Sequence, residues 1–321
     1  VSHSAATWAT EVENLLGADG LYAGPIVDAH HHLWDLSLDR HPWLRGQKRA
    51  PLGQSCLPED YLAAAKGFHL AASIHVEANW DPADPLGEIA WLDTLARPDG
   101  IATRYVAFAD LASEGAGAIL EALAAHERVV GVRDIVSWHP DPARAAVKDR
   151  GRMLDPAWQA DLARLEPLNL SFDLLMSPWQ FDDAVDLFQG FPGIRFVINH
   201  CGSPFDRTPE GLAHWAQGLK RLAGAPNVWL KISDLVAYDP NWTEESLSFV
   251  SRACLEAFGP ERCMLASDHP VVTLSASFRQ TYDHFRRVFS GLPERDQYAL
   301  FAGNAAEFYR VPNFPSGRSD T

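Results

Sequence analysis

The chain is 321 residues long, 47% hydrophobic, and carries 42 acidic against 27 basic side chains, a formal net charge of −15. A field of that sign repels phosphate backbones and anionic lipid, so neither nucleic acid nor a membrane surface is an expected partner, and no run approaches the roughly 18 apolar residues of a membrane span. Cys56, Cys201, Cys254 and Cys263 lack Cys-x-x-Cys spacing, which argues against a disulfide framework or a thiolate metal site.

Residues 1–24 read as an N-terminal extension. Trp8, Val12, Leu15 and Leu16 fall at helical spacing, so a short amphipathic helix is expected there, plugging the amino-terminal mouth of a barrel or packing on a neighbour. Val1 to Glu13 lack the basic-then-apolar layout of a secretory signal, and a cytoplasmic location is expected.

The first strand runs through Pro25-Ile26-Val27 into Asp28-Ala29-His30-His31-His32. Alternate side chains of a strand share a face, which groups Asp28, His30 and His32. Two imidazoles at the carboxyl end of a buried strand have metal-site geometry, because neutral imidazole is a common ligand of zinc and similar ions; a solvated turn or a satisfied polar cluster is the plainer alternative. The connection from Leu36 to Lys66 is long and rich in Pro, Gly and Trp, and reads as a wall of the pocket.

A rhythm follows. Apolar or β-branched runs at Ala71–Ala78, Arg104–Asp110, Val129–Val136, Leu170–Met176, Arg195–His200, Asn227–Leu235 and Cys263–Ser267 alternate with helical patterns at Pro85–Arg97, Gly115–Glu127, Pro156–Leu165, Phe181–Gln189, Glu210–Leu222, Glu244–Phe258 and Ser277–Ser290. With the first strand this makes eight strand–helix units, the pattern of a parallel α/β fold with right-handed crossovers. The expected architecture is a single-domain (β/α)₈ TIM barrel over residues 25–312, followed by a tail at 313–321. An open doubly wound sheet would normally show a glycine-rich turn after its first strand, where this chain has histidines. Asn304-Ala-Ala-Glu307 reads as a helix capping box.

Barrel active sites draw on the carboxyl ends of several strands. His200 and Asp268 each cap an apolar run, as His30 and His32 do, and four such groups at one mouth are harder to explain as isolated core or capping residues. If alternation holds, Ser73, His75 and Glu77 face inward, as do Trp229, Lys231 and Ser233, and Lys231 needs a buried partner such as Glu77 or Asp28. Arg133 is the candidate for a substrate carboxylate or hydroxyls through its planar fork of donors, with an ion pair across the barrel as the alternative. Glu77, near its strand end, is read as reaching the substrate or a histidine that supports the site, and His75 is read as structural. Trp43, Trp80, Trp138 and Trp179 are candidates to line a sugar or aryl ring, or to be plain packing.

The runs Asp28-Ala-His30-His-His32-Leu-Trp-Asp35, Gly131-Val-Arg133, Phe196-Val-Ile-Asn-His200-Cys-Gly-Ser-Pro204, Asn227-Val-Trp-Leu-Lys231-Ile-Ser233, Ser267-Asp268-His-Pro270 and Gly303-Asn304-Ala-Ala together resemble the amidohydrolase superfamily. The closer resemblance is to the branch of sugar-acid lactonases, sulfomuconolactone hydrolase and 2-pyrone-4,6-dicarboxylate lactonase. It implies hydrolysis of a lactone, sugar-acid or otherwise carboxylated, with Asp268 as general base and then acid, and with the carbonyl polarised by metal or by His200. One divalent ion, zinc first, is implied on His30, His32, His200 and Asp268, although members of the branch also work without metal. No lysine lies in Val129–Val136, so a bridging carbamylated lysine is not expected. His269, where the branch usually has Trp, is read as a substrate donor or pocket wall, and Asp134 stands where a His is frequent. A decarboxylase of an aromatic or muconate-type acid is the rival enzyme, and a catalytically silent barrel the rival from another class. The partner is a small molecule, and the chain is a monomer or homodimer.

Overall fold

Eight buried apolar runs become the strands β1 (Ile26–His31), β2 (Leu70–Val76), β3 (Arg104–Phe108), β4 (Val129–Arg133), β5 (Ser171–Leu174), β6 (Phe196–Ile198), β7 (Val228–Ile232) and β8 (Cys263–Leu265) in the computed structural model, which describes residues 15–46 and 52–314. All pair in parallel, in sequential order. The ring closes through a parallel bridge between His31 and His269, where His32 N donates to His269 O at 2.8 Å and Asp268 N to His30 O at 2.9 Å. This is the expected (β/α)₈ barrel. Four of the residues expected to carry chemistry, His30, His32, Asp268 and His269, thus also lend their backbones to the seam.

Helices Gly87–Thr94, Ala116–Ala124, Pro156–Leu162, Phe181–Gly190, Pro209–Leu222, Glu244–Phe258 and Phe278–Val288 form the outer ring. Several start where the sequence supplies a side-chain acceptor for a free N–H: Asp155 for Ala157, Thr208 for Gly211, Thr243 for Ser246 and Ser277 for Gln280. Such caps each contribute about 1 kcal/mol. Gly131 in β4 is required by close approach, since a Cβ there would lie 2.3 Å from Ser171 Oγ and 3.0 Å from Ser171 O.

Three expectations change. The connection after β1 is not all loop: Pro58–Ala64 is a helix, and it brings the buried Tyr61 against β1. Of the N-terminal helix, Trp8 and Val12 lie outside the described residues, while Leu15 and Leu16 are extended and Leu16 bridges Tyr22. At the amino-terminal end of the barrel, residues 308–310 pack against the strand starts. Arg104 and Arg195, at or beside the starts of β3 and β6, donate to the carbonyls of Arg310 and Phe308, and Tyr309 reaches inward to Asp173. Finally, Asn304 caps nothing. Glu294–Tyr298 runs through a π-turn at Ala299–Gly303 into Asn304–Phe308, and the Asn304 amide donates to the carbonyls of Pro260 and Cys263, both at 2.6 Å.

Candidate active site

The strands are shorter than the apolar runs that announced them, and the surplus residues turn across the barrel mouth. His200 after β6, Asp234 after β7 and Asp268 after β8 have φ of 49°, 49° and 55°. This left-handed backbone costs a non-glycine residue about 1 kcal/mol or more. The three turns aim side chains at one place. Asp268 Oδ1 lies 3.4 Å from His30 Nε2, 3.3 Å from His32 Nε2 and 3.9 Å from His200 Nε2. All four residues are buried, and neither His30 Nε2 nor Asp268 Oδ1 has a hydrogen-bond partner.

The outer ring nitrogens set what these imidazoles can do. His32 Nδ1 is 2.7 Å from the Val76 carbonyl, which can only accept, so the ring proton sits there and Nε2 keeps its lone pair. His200 Nδ1 is 2.9 Å from Ser233 Oγ. His30 Nδ1 faces Lys231 Nζ at 3.3 Å, and that ammonium is itself 2.5 Å from Asp173 Oδ2. Burial lowers the His30 ring well below its usual value, with Lys231 adding to it, and pushes His200 down to about 4 against the pull of Asp268. Burial alone would raise Asp268, but His200, His32 and Arg133 outweigh it and hold its carboxyl below the usual range.

These residues fit a divalent cation. Nitrogen and oxygen donors of His30, His200 and Asp268 lie within 4.8 Å of one another, and His32 offers a lone pair on the same carboxylate oxygen. Metal-bound histidines usually direct their second nitrogen to an acceptor, as His32 does with Val76. In the tautomer that would bind metal, His30 Nδ1 carries the ring proton and sets an N–H against the Lys231 ammonium, which has no lone pair to accept it. An ammonium that donates to Nδ1 puts that proton on Nε2 and makes His30 a donor.

Other expected residues fall elsewhere. Arg133 is 3% exposed and committed to Glu77: Nε donates to Glu77 Oε1 and a terminal nitrogen to Glu77 O, both at 2.6 Å. This is the ion-pair alternative, and it leaves less of the fork for a substrate. Asp28 does not join His30 and His32, because a register shift lies between Asp28 and His31. Its carboxylate is held by Ser267 N, Ser267 Oγ and the Tyr61 hydroxyl. The partner of Lys231 is therefore Asp173, not Glu77 or Asp28. His75 turns to Glu88 of the outer helix Gly87–Thr94 at 3.1 Å, and its other ring nitrogen accepts from Leu33 N at 3.3 Å. His269 packs on Tyr61 and Phe278, at 5.8 and 6.4 Å between rings. Trp43 forms part of the rim, its indole N–H donating to Ala78 O at 2.7 Å.

Two groups escaped the sequence reading. Asp173 anchors Lys231 and also accepts from Tyr309 and Asn199, and its place in Ser171-Phe-Asp173-Leu was the available signal. Asp234 is a buried carboxyl with Oδ1 unpartnered. Burial and the neighbouring Asp268 drive it well above the usual carboxylate range, so Asp268 is the ionised member of the two. A polar pair, Ser233-Asp234, ending an apolar run was its only trace.

Comparison with known proteins agrees with this geometry. The family described as Amidohydrolase matches residues 27–311. A Sinorhizobium fredii protein named y4mH is 34% identical over 89% of this chain and 98% of its own length. L-fucono-1,5-lactonase of Burkholderia multivorans is 29% identical over 89% of this chain and 96% of its own. A crystal structure of a Burkholderia multivorans amidohydrolase with bound zinc superposes with a TM-score of 0.77 at 26% identity, covering 90% of this chain and 100% of that one.

Proposed function

The chain belongs to the amidohydrolase family, and from that premise we propose that it opens a lactone ring by attack of water, with Asp268 moving the proton. The observation that carries this reading is the convergence of the His30, His32 and His200 Nε2 atoms on one unpartnered oxygen of Asp268, at 3.4, 3.3 and 3.9 Å. The similarity to an L-fucono-1,5-lactonase supports the reaction class.

In the proposed sequence, water lies against Asp268 Oδ1 and its oxygen bonds to the lactone carbonyl carbon as Oδ1 takes the proton. The carbonyl oxygen gains negative charge and is met by a ring N–H: His30 offers one from Nε2 when Lys231 donates to Nδ1. When the tetrahedral centre collapses, the bond from acyl carbon to ring oxygen breaks and Asp268 returns its proton to that oxygen, giving a hydroxy acid. The low carboxyl of Asp268 keeps it ionised and ready to accept at neutral pH. His32, His200 and Asp268, with His30 in its other tautomer, are the residues that would hold a divalent ion, zinc first, which when bound would acidify water and polarise the carbonyl.

The test is acid release from a lactone panel, with sugar-acid lactones included, before and after chelation, alongside Asp268→Asn. Asp268→Asn should lower kcat by about 10³ or more with the fold retained. Near-normal turnover in that variant defeats the mechanism, and no release from any lactone defeats the reaction class. Zinc titration of the chelated protein, followed by equilibrium dialysis, tests the metal separately. Binding should weaken in His32→Ala.

A further inference from the structure

Beside the His/Asp cluster, at the same end of the barrel, lies an open recess of about 430 Å³ between the ends of β2, β3 and β4 and the turn after β1. It joins the cluster through short links. Trp34 lies 6.4 Å from His32 and 5.7 Å from Trp43, ring to ring. On the other side Glu77 and Arg133, paired at 2.6 Å, directly precede the segments that supply Asn79 and Ile135.

Its walls are Trp43, Trp80, Phe108 and Ile135. Their orientation is fixed from behind: Trp43 by its bond to Ala78 O, and Trp80 by Asp84, by an edge contact with His41 and by stacking on Trp91. Only two polar side chains line it among the described residues, Asn79 and Asp134. Asp134 has one oxygen, Oδ2, taken up by Arg152, by the Trp158 indole at 2.8 Å and by Leu111 N. No lysine or arginine lines the recess among the described residues, and Arg133 beneath it is held by Glu77.

Three kinds of lactone substituent can be weighed against this. A polyhydroxylated arm would bring several hydroxyls with only Asn79 and one oxygen of Asp134 to receive them, and each hydroxyl buried unpaired costs about 1–3 kcal/mol. A carboxylate would have no free cation. A flat apolar ring gains area on three aromatic faces, and the volume is ample, since an apolar cavity of roughly 150 Å³ already takes benzene.

We infer that the recess is an aryl subsite, so that the substrate is a lactone carrying an aromatic substituent and not a sugar-acid or dicarboxylate lactone. The inference rests on the lactonase reading for its reaction and on the recess alone for its substituent.

The full chain is assayed with δ-phenyl-δ-valerolactone, unsubstituted δ-valerolactone and L-fucono-1,5-lactone. Binding of the matching phenyl lactam, which lacks the scissile ester, is followed by tryptophan fluorescence. Expected are a kcat/KM for the phenyl lactone about tenfold or more above either other lactone, and a phenyl-to-unsubstituted ratio that Phe108→Ala narrows about tenfold. Ile135→Ala should narrow it in the same direction, which guards against a Phe108→Ala chain that does not fold. Preference for L-fucono-1,5-lactone, or a ratio both variants leave unchanged, overturns the aryl subsite. If no lactone is hydrolysed, the lactonase reading falls and the lactam decides the subsite: saturable binding weakened by either variant upholds it, and absence of binding ends it.

Discussion

Replacing Lys231 by Met tests whether the floor of the site is held by charge. Lys231 and Asp173 are both fully buried, with Nζ 2.5 Å from Asp173 Oδ2, and the ammonium also lies 5.1 Å above the centre of the Tyr309 ring. Burial lowers the lysine's affinity for its proton, and Asp173 opposes this. Lys231→Met preserves most of the volume but leaves Asp173 with only the Tyr309 hydroxyl and the Asn199 amide. Breaking one side of a buried pair typically costs about 3–5 kcal/mol, mostly the penalty on the charge left behind. That is a large share of a domain's usual ~5–15 kcal/mol, so the urea midpoint should fall steeply. Asp173→Asn in the same chain removes the stranded charge and should recover at least half of the loss. The assay is a double-mutant cycle by urea denaturation at neutral pH. A loss in Lys231→Met below about 1 kcal/mol, or additive effects of the two substitutions, would refute the reasoning.

Arg133→Met strips Glu77 of its buried partner and should cost about 3 kcal/mol, with Glu77→Gln restoring much of it; a raised KM at unchanged stability would instead return Arg133 to the substrate. His31 and His75 are driven well below their usual values by burial, and His269 down to about 4. Unfolded rings protonate near 6.5, so the unfolded state binds more protons as pH falls from about 6.5 towards 4, and stability is full above that window and lost through it. For His269 the loss between about pH 7 and pH 5 is ~2 kcal/mol, the other two adding in the same sense, and a flat urea midpoint over that range would contradict burial of neutral rings. Asp234→Asn replaces a buried carboxyl, Oδ1 unpartnered, whose ionisation burial and Asp268 oppose, so stability near neutral pH should stay level or rise, as thermal denaturation will report.

The sequence by itself determined the number and order of the strands. Each is an apolar run with its own helix behind it, and a parallel sheet of such units closes in only a few ways. It also determined which side chains stand at the carboxyl ends: His30, His32, His200 and Asp268 follow their runs directly, and the strand direction carries them to one mouth. What only the tertiary structure decided were choices between equivalent faces and partners. A register shift after Asp28 turned it to Ser267 and Tyr61, His75 took Glu88 as its partner and Glu77 took Arg133, and Tyr309, far along the chain, entered from below to share Asp173 with Lys231. Spacing along a strand fixes the alternation of side chains, but a single extra residue inverts it, and the partner of a buried charge is set by distances that exist only once the barrel closes.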